Sequence, residues 1–380
     1  MSVAVVSLPE ILARLEPIAA GVVAANAARI DADGVFPEAA VEALAAAGLL
    51  GLLTPEAHGG LGAGFDAAAR VVERLARECG TTAMVVCMHY CGAAVLAKLG
   101  ADEVNRDIAA GRHLSTLAFS EAGSRSHFWT PVGTARADGD HVVLDAHKSW
   151  ITSAGHATAY VWSSRPVAGA GPSTIWLVPR QMDGMGIVAP YRGLGLRGND
   201  SAPVTATGVR VPLTARLGPD GGGFDVMMGI VLPLFSLMNA ACALGACEAA
   251  TTRACAHATG TRFEYAGSAL RDLPTVRAYL ARMRVRTDMA RALWEDALVA
   301  VTTGRADGML RVLEVKAALG EAATEVTSIG MRVCGGAAYR ADVSVDRSFR
   351  DAQAMGVMAP TTDVLYDFIG KAICGMELFA

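Results

Sequence analysis

Between Val226 and Cys247 the chain carries no charged side chain. A run of that length has two homes, the interior of a bilayer or the centre of a large folded body, because a helix apolar on every side needs cover on every side. Pro233, Ser236 and Asn239 dilute its hydrophobicity, and neither flank carries the Lys/Arg cluster that anchors a membrane span. The expectation is a buried central helix and no membrane span. The rest of the 380 residues must then supply the surfaces that enclose it.

The composition fits that demand. Hydrophobic residues make up 52% of the chain, and the mean hydropathy is +0.35, which implies large buried surfaces and subunit interfaces. The net charge of -4 lacks the basic excess that a phosphate backbone requires, so nucleic acid is excluded as a partner. Eight cysteines (Cys79, Cys87, Cys91, Cys242, Cys247, Cys255, Cys334 and Cys374) form no CxxC pair. They read as reduced core residues of a cytoplasmic protein, with no metal site. The opening MSVAVVSLPE has no basic segment and no sustained apolar run, so it does not read as a signal peptide.

Three regions differ in pattern. Residues 1–115 read as an N-terminal helical domain, with helix-period apolar positions over Ile11 to Ala28 and Ala67 to Arg77 and a helix started by Phe36-Pro37-Glu38. Residues 116–220 read as a middle β domain. Its short β-type runs are His141 to Leu144, Ala159 to Trp162, Ser173 to Val178 and Val209 to Pro212, with turn-formers between them. Residues 221–380 return to long helices, among them Thr275 to Thr302 and Leu310 to Met331, and read as a C-terminal helical bundle. The fold class is therefore mostly α with a central antiparallel β domain.

Several local patterns meet in this order. Leu50-Gly51-Leu52-Leu53-Thr54-Pro55-Glu56 precedes Gly59-Gly60-Leu61-Gly62. Phe119-Ser120-Glu121-Ala122-Gly123-Ser124-Arg125-Ser126 follows, then Lys148-Ser149-Trp150-Ile151-Thr152-Ser153, then Leu194-Gly195-Leu196-Arg197 with Val209-Arg210-Val211-Pro212. Cys334-Gly335-Gly336 and Phe349-Arg350-Asp351-Ala352 close the series. Along essentially its whole length the chain resembles the acyl-CoA dehydrogenase family, and the Lys148–Ser153 stretch is the most specific match.

The resemblance implies FAD as cofactor and a set of contacts to it. Phe119 and Ser120 would flank the flavin ring, with Ser120 bonding its pyrimidine side. Trp150 would cover part of the ring, and Thr152 would reach the hydride-accepting nitrogen. Arg262 matches the arginine at the pyrophosphate. Gly335 and Gly336 match the glycines beside the adenine half of a FAD held mainly by a neighbouring subunit. Thr361 matches the threonine after the catalytic loop. A homotetramer or homodimer is implied, as are an acyl thioester on CoA or a carrier protein as substrate, and an electron-transferring flavoprotein or oxygen as acceptor. Such chemistry needs polar partners along the flavin edge and aromatic cover on its face.

One departure stands out. Removal of the weakly acidic proton beside a thioester needs a general base within hydrogen-bond reach. The position where most relatives carry Glu is Ala359, and no carboxylate lies between Gln353 and Thr362. The alternative source, on the central helix, is missing too: Val231 to Ala240 holds no acidic residue, and Phe235 and Ser236 occupy the neighbourhood. Ser126 keeps its place as a substrate-arm contact, but His127 replaces the usual Asp, and Phe128-Trp129 suggests a narrowed entrance. Four residues are candidates for a relocated base. His127 also reads as a plain loop histidine, His89 and Tyr90 as a satisfied core pair, and Asp363 as a helix cap. Asp351 reads as structural, paired with Arg350 or another cation.

Three functions follow as expectations. The first is an FAD-dependent dehydrogenase of an acyl thioester with a relocated base. The second is a flavin-dependent monooxygenase or oxidase, which needs no such base. The third is a non-redox acyl-binding relative.

Overall fold

The computed structural model describes residues 6–378, so the first five residues of the N-terminal segment lie outside the described residues. The chain opens with α1 (Leu8–Ile18) and α2 (Ala24–Asp33), joined through a π-helical turn, Ala19–Val23. Then come α3 (Glu38–Ala46), α4 (Phe65–Glu78), α5 (Gly80–Leu99) and α6 (Asp102–Ala109). Pro37 stands just before the first turn of α3, where its missing N–H costs nothing.

The middle of the chain is β: β1 (Ser115–Ala118), β2 (Thr134–Asp138), β3 (His141–Ile151), β4 (Ala159–Ser164), β5 (Thr174–Pro179), β6 (Met185–Ile187), β7 (Ala202–Pro212) and β8 (Arg216–Leu217). They form two four-stranded sheets, ordered β1-β4-β5-β8 and β2-β3-β7-β6. Every pairing is antiparallel except β1 with β4, which run parallel. Trp162, Trp176, Tyr160 and the valines of β3 and β7 fill a core of their own.

The third region holds α7 (Gly223–Val226), a π-helical turn (Met227–Val231), α8 (Leu232–Gly260), the short strands β9 (Arg262–Phe263) and β10 (Ser268–Ala269), then α9 (Pro274–Thr302), α10 (Gly308–Cys334), α11 (Val345–Val357) and α12 (Thr362–Ile373). The uncharged run becomes the central helix. Leu234, Leu237, Met238 and Leu244 are all sealed from solvent, each contributing about 1.5–3 kcal/mol of apolar burial. Gly245 lets α4 approach α8 closely, since a Cβ there would stand 2.5 Å from the Ala76 side chain. Arg291 of α9 bridges Glu73 of α4 and Glu248 of α8 at 2.8 Å each, tying the three helices at their rim.

Among the described residues, three helical stretches are long and apolar enough to cross a membrane by length and composition: Leu8–Asp33, Gly80–Leu99 and Gly223–Gly260. The most apolar window of the last is wholly enclosed by protein, as its dilution by Pro, Ser and Asn led one to expect. The cysteines divide differently from expectation. Six are buried, but Cys255 and Cys374 are exposed, because they fall on the outward sides of α8 and of the end of α12.

Candidate active site

A buried ion pair sits where β1 leaves its sheet. Lys148 of β3 is sealed from solvent and its Nζ donates to Glu121 Oε1 at 2.5 Å, to the Ser163 carbonyl at 2.7 Å and to Ser163 Oγ at 3.0 Å. The second carboxylate oxygen of Glu121 accepts the Val132 and Gly133 N–H groups at 2.8 and 2.9 Å. Burial pulls the Lys148 pKa down to about 8 against the attraction of Glu121. Breaking such a pair strands a charge in a dry interior, so the pair holds its two segments in one register. Ser149 N–H donates to the Ser120 carbonyl at 2.8 Å just beyond it.

The consequence is an exposed aromatic ring. The β3–β7 register slips between Lys148 and Ile151, inserting one extra residue on β3. Trp150 takes φ +59, a left-handed backbone that a bulky side chain adopts at a cost of about 1–3 kcal/mol. Its side chain is 64% exposed and stacks on Tyr191 with ring centroids 4.0 Å apart. Thr152, two residues on, is buried, and its carbonyl accepts Thr116 Oγ1 at 2.8 Å. Phe119, Ser120, Trp150 and Thr152 are thus gathered at one end of the β domain by β1, the bulge and the ion pair.

The loop after Glu121 closes over the neighbouring ground. Phe128 lies parallel to Phe119 at 6.3 Å, Trp129 meets Phe128 edge-on at 5.3 Å, and Trp129 reaches Phe368 of α12 at 5.8 Å. All four rings are buried. Ser126 Oγ accepts the backbone N–H of Thr361 at 2.9 Å and lies 3.4 Å from its hydroxyl. Ser126 and Thr361, expected to meet substrate and cofactor separately, meet each other.

The loop between α11 and α12 carries Ala359, which is half-buried. Beneath it lies Lys316 of α10, fully buried, with Nζ 2.9 Å from the Met358 carbonyl, 2.8 Å from that of Pro360 and 3.5 Å from that of Met355. Burial without a carboxylate partner pushes its pKa down to about 7. Phe235 lies under the same group, its ring centre 5.9 Å from Nζ. Ser236 and Asn239 on the same stretch of α8 are sealed, and Ser236 Oγ and Asn239 Oδ1 find no hydrogen-bond partner among the described residues.

The four candidate bases are not gathered at this loop. His89 is buried with both ring nitrogens engaged: Nδ1 accepts the Ser115 N–H at 3.0 Å, so Nε2 carries the proton that meets the Leu50 carbonyl at 2.9 Å. Burial holds its pKa down to about 4. Tyr90 donates to the Leu49 carbonyl at 2.8 Å, and burial pushes its phenol well above the usual range. These two brace α5 against the Leu49–Leu50 turn and β1 as a satisfied core pair. His127 is exposed and packs edge-on against Trp129. Asp363 is exposed in the first turn of α12, and the N-cap residue Thr361 makes no side-chain cap bond to that helix among the described residues.

Asp351 also departs from expectation. Arg350 turns away from it and forks onto Asp31 at 2.5 and 2.7 Å, with Asp346 as a further partner. Asp351 is fully buried and accepts the Leu196 N–H at 2.6 Å, while burial lifts its pKa to about 6. The close approach needs Gly195, whose Cβ would stand 2.3 Å from the Arg350 carbonyl oxygen. Arg262, Gly335 and Gly336 are exposed on the helical region. Among the described residues no hydrogen bond joins them to Ser120, Trp150 or Thr152.

Models of the N-terminal, middle and C-terminal domains of acyl-CoA dehydrogenases match residues 10–110, 116–209 and 221–374. The chain belongs to the acyl-CoA dehydrogenase family. The human mitochondrial short-chain specific acyl-CoA dehydrogenase is 29% identical over 89% of this chain and 83% of its own length. The solved butyryl-CoA dehydrogenase of Megasphaera elsdenii superposes with a TM-score of 0.89 at 20% identity, covering 98% of this chain and 100% of that one. A prolyl acyl carrier protein oxidase superposes with a TM-score of 0.86 at 18% identity, covering 96% and 98%. This acyl-CoA dehydrogenase-like enzyme therefore has the helical, β, helical architecture of its relatives.

Sequence reasoning missed Lys316 and the structural weight of Lys148. A signal for the first was available. Lys316 falls at helical spacing among Val312, Leu313 and Leu319, so its side chain had to point into the bundle.

Proposed function

We propose that this family member binds FAD and dehydrogenates an acyl thioester carried by CoA or a carrier protein. The observation that carries the reading is Trp150: a strained backbone presents a large, mostly exposed ring, backed by Tyr191, at the end of the β domain that also carries Ser120 and Thr152, an arrangement a flat ligand repays and an empty surface does not. The residues present fit the cofactor. Trp150 offers aromatic cover, Ser120 and Thr152 polar groups at its edge, and Arg262 an exposed cation for a pyrophosphate. A Cβ added at Gly335 or Gly336 would meet no atom within 4 Å, which leaves room for close approach. When bound, FAD supplies hydride acceptance. The chain's own part is to hold the acyl group between that face and the α11–α12 loop, and to exclude water with the Phe119, Phe128, Trp129 and Phe368 cluster.

The proton acceptor on this reading is relocated, since the loop offers only Ala359. With His89 and Tyr90 committed to backbone partners, His127 and Asp363 keep side chains open to it. Electrons would pass to an electron-transferring flavoprotein or oxygen. Exposed Val285, Met289 and Val299 on α9, together with the outward-facing Arg262 and Gly335, suit a cytoplasmic homotetramer in which FAD spans a subunit boundary.

Anaerobic titration of the purified protein with a panel of acyl-CoAs tests the proposal through the visible absorbance of the flavin. Bleaching by a thioester supports it. A yellow protein that no thioester bleaches would move the assignment to the second reading, oxygen chemistry on the same fold, which the missing carboxylate at Ala359 favours. A protein that takes up no FAD would leave an acyl-binding role.

A further inference from the structure

We propose that Lys316 is a positioning residue of this site: its ammonium group grips the carbonyls on either side of Ala359 and so sets where the α11–α12 loop stands against the acyl group. The consequence for catalysis rests on the acyl-thioester reading; the grip itself does not.

The geometry is that of a cation among acceptors. An ammonium has three N–H donors and no acceptor, and Lys316 meets three carbonyls, those of Met358, Pro360 and Met355. A neutral amine would turn its lone pair toward one of them. The same enclosure rules Lys316 out as the missing base, because no lone pair is free to meet a substrate proton.

Among the described residues, the elements packed round it bring no carboxylate that pairs with it. On α8 it faces the ring of Phe235, and the nearby buried polar groups of that helix, Ser236 and Asn239, are uncharged. Asp351 of α11 is turned to Leu196. Asp363 of α12 is exposed and Asp367 pairs with Lys371. On its own helix Glu314 pairs with Arg311, and Glu321 is drawn to Tyr366.

A lone buried cation is a poor way to gain stability, and an apolar side chain of like volume commonly does better. What the charge adds is direction. Asn239 completes the hold by pointing its Nδ2 at the sulfurs of Met358 and Met355, at 3.5 and 3.8 Å. The loop is therefore fixed from below at backbone and side chain, while Ala359 contributes only a methyl group to the grip.

Hydrogen exchange on the full chain tests this without cofactor or substrate. In Lys316→Met, amides of residues 356–362 are expected to exchange about tenfold faster than in wild type, while the denaturation midpoint holds or rises. Lys316→Arg, which keeps the charge, should restore part of the protection. Unchanged exchange in the Met variant would overturn the proposal, and so would a loss spread evenly over all amides, the mark of a merely structural residue. Should the Met variant fail to fold, wild type alone decides. Corrected for intrinsic rates, protection of 356–362 should fall as pH rises from about 6 to about 9 with loss of the ammonium proton, and a flat profile counts against the grip. A loop that responds as stated in a protein no thioester reduces would retain the grip and remove the acyl-thioester reading.

Discussion

Ser126 and Thr361 are 235 residues apart in sequence, yet the hydroxyl of the first accepts the backbone N–H of the second at 2.9 Å. The loop of the β domain is thereby latched to the start of the last helix, and Ser126 satisfies an N–H that α12 leaves without a side-chain cap of its own.

Ser126→Ala removes that acceptor. The expected loss is about 1 kcal/mol of stability, the usual size for a helix N-terminus deprived of its oxygen partner. Chemical denaturation measures it, and limited proteolysis should show faster cutting within residues 121–133. A variant as stable and as resistant as wild type would mean that the aromatic cluster alone holds the loop shut.

Trp150→Ala separates cofactor binding from folding. The ring is mostly exposed, so stability should change by no more than about 0.5 kcal/mol. Loss of ring stacking should weaken FAD retention by about 1 kcal/mol, roughly fivefold in Kd. Flavin content after gel filtration and a fluorescence titration read this out. Undiminished affinity would show that the exposed ring serves something other than FAD.

Asp351→Asn should alter the response to pH. In the folded chain the carboxyl holds its proton up to about 6, against 3.8 unfolded. Between those values the native state binds more protons than the unfolded one, so this group's contribution to stability falls as pH rises through that window and stays low above it. The size is about 3 kcal/mol from the two-unit difference. The amide still accepts the Leu196 N–H without charge. Denaturation midpoints across the window should therefore decline less in the variant than in wild type, and parallel declines would contradict the assignment.

Ala359→Glu returns a carboxylate to the loop above Lys316. Anaerobic flavin reduction by simple acyl-CoAs should accelerate by about a hundredfold or more, the range a positioned general base supplies. No gain would show that substrate does not reach this loop in a pose that lets a carboxylate there take its proton.

The helical, β, helical order was legible because periodicity is a local property. Ile11 to Ala28 and Thr275 to Thr302 announced their helices, and the short β-type run of His141 to Leu144 its strand. Motif order carried the family and placed Phe119, Ser120, Trp150 and Thr152 together. That no carboxylate lies between Gln353 and Thr362 needed only the sequence itself.

Partners remote in sequence were not legible in this way. Nothing near Arg350 predicts that it leaves its neighbour for Asp31, nothing near Asp351 points to Leu196, and nothing near His89 marks Ser115 and Leu50 as the groups that occupy its ring. The sequence by itself determined which residues had to be buried and which elements they would form, because hydrophobic period and backbone preference act over a few residues. The tertiary structure alone decided what each buried polar group meets, because a charge taken out of water accepts whatever partner the packing of distant elements brings within reach.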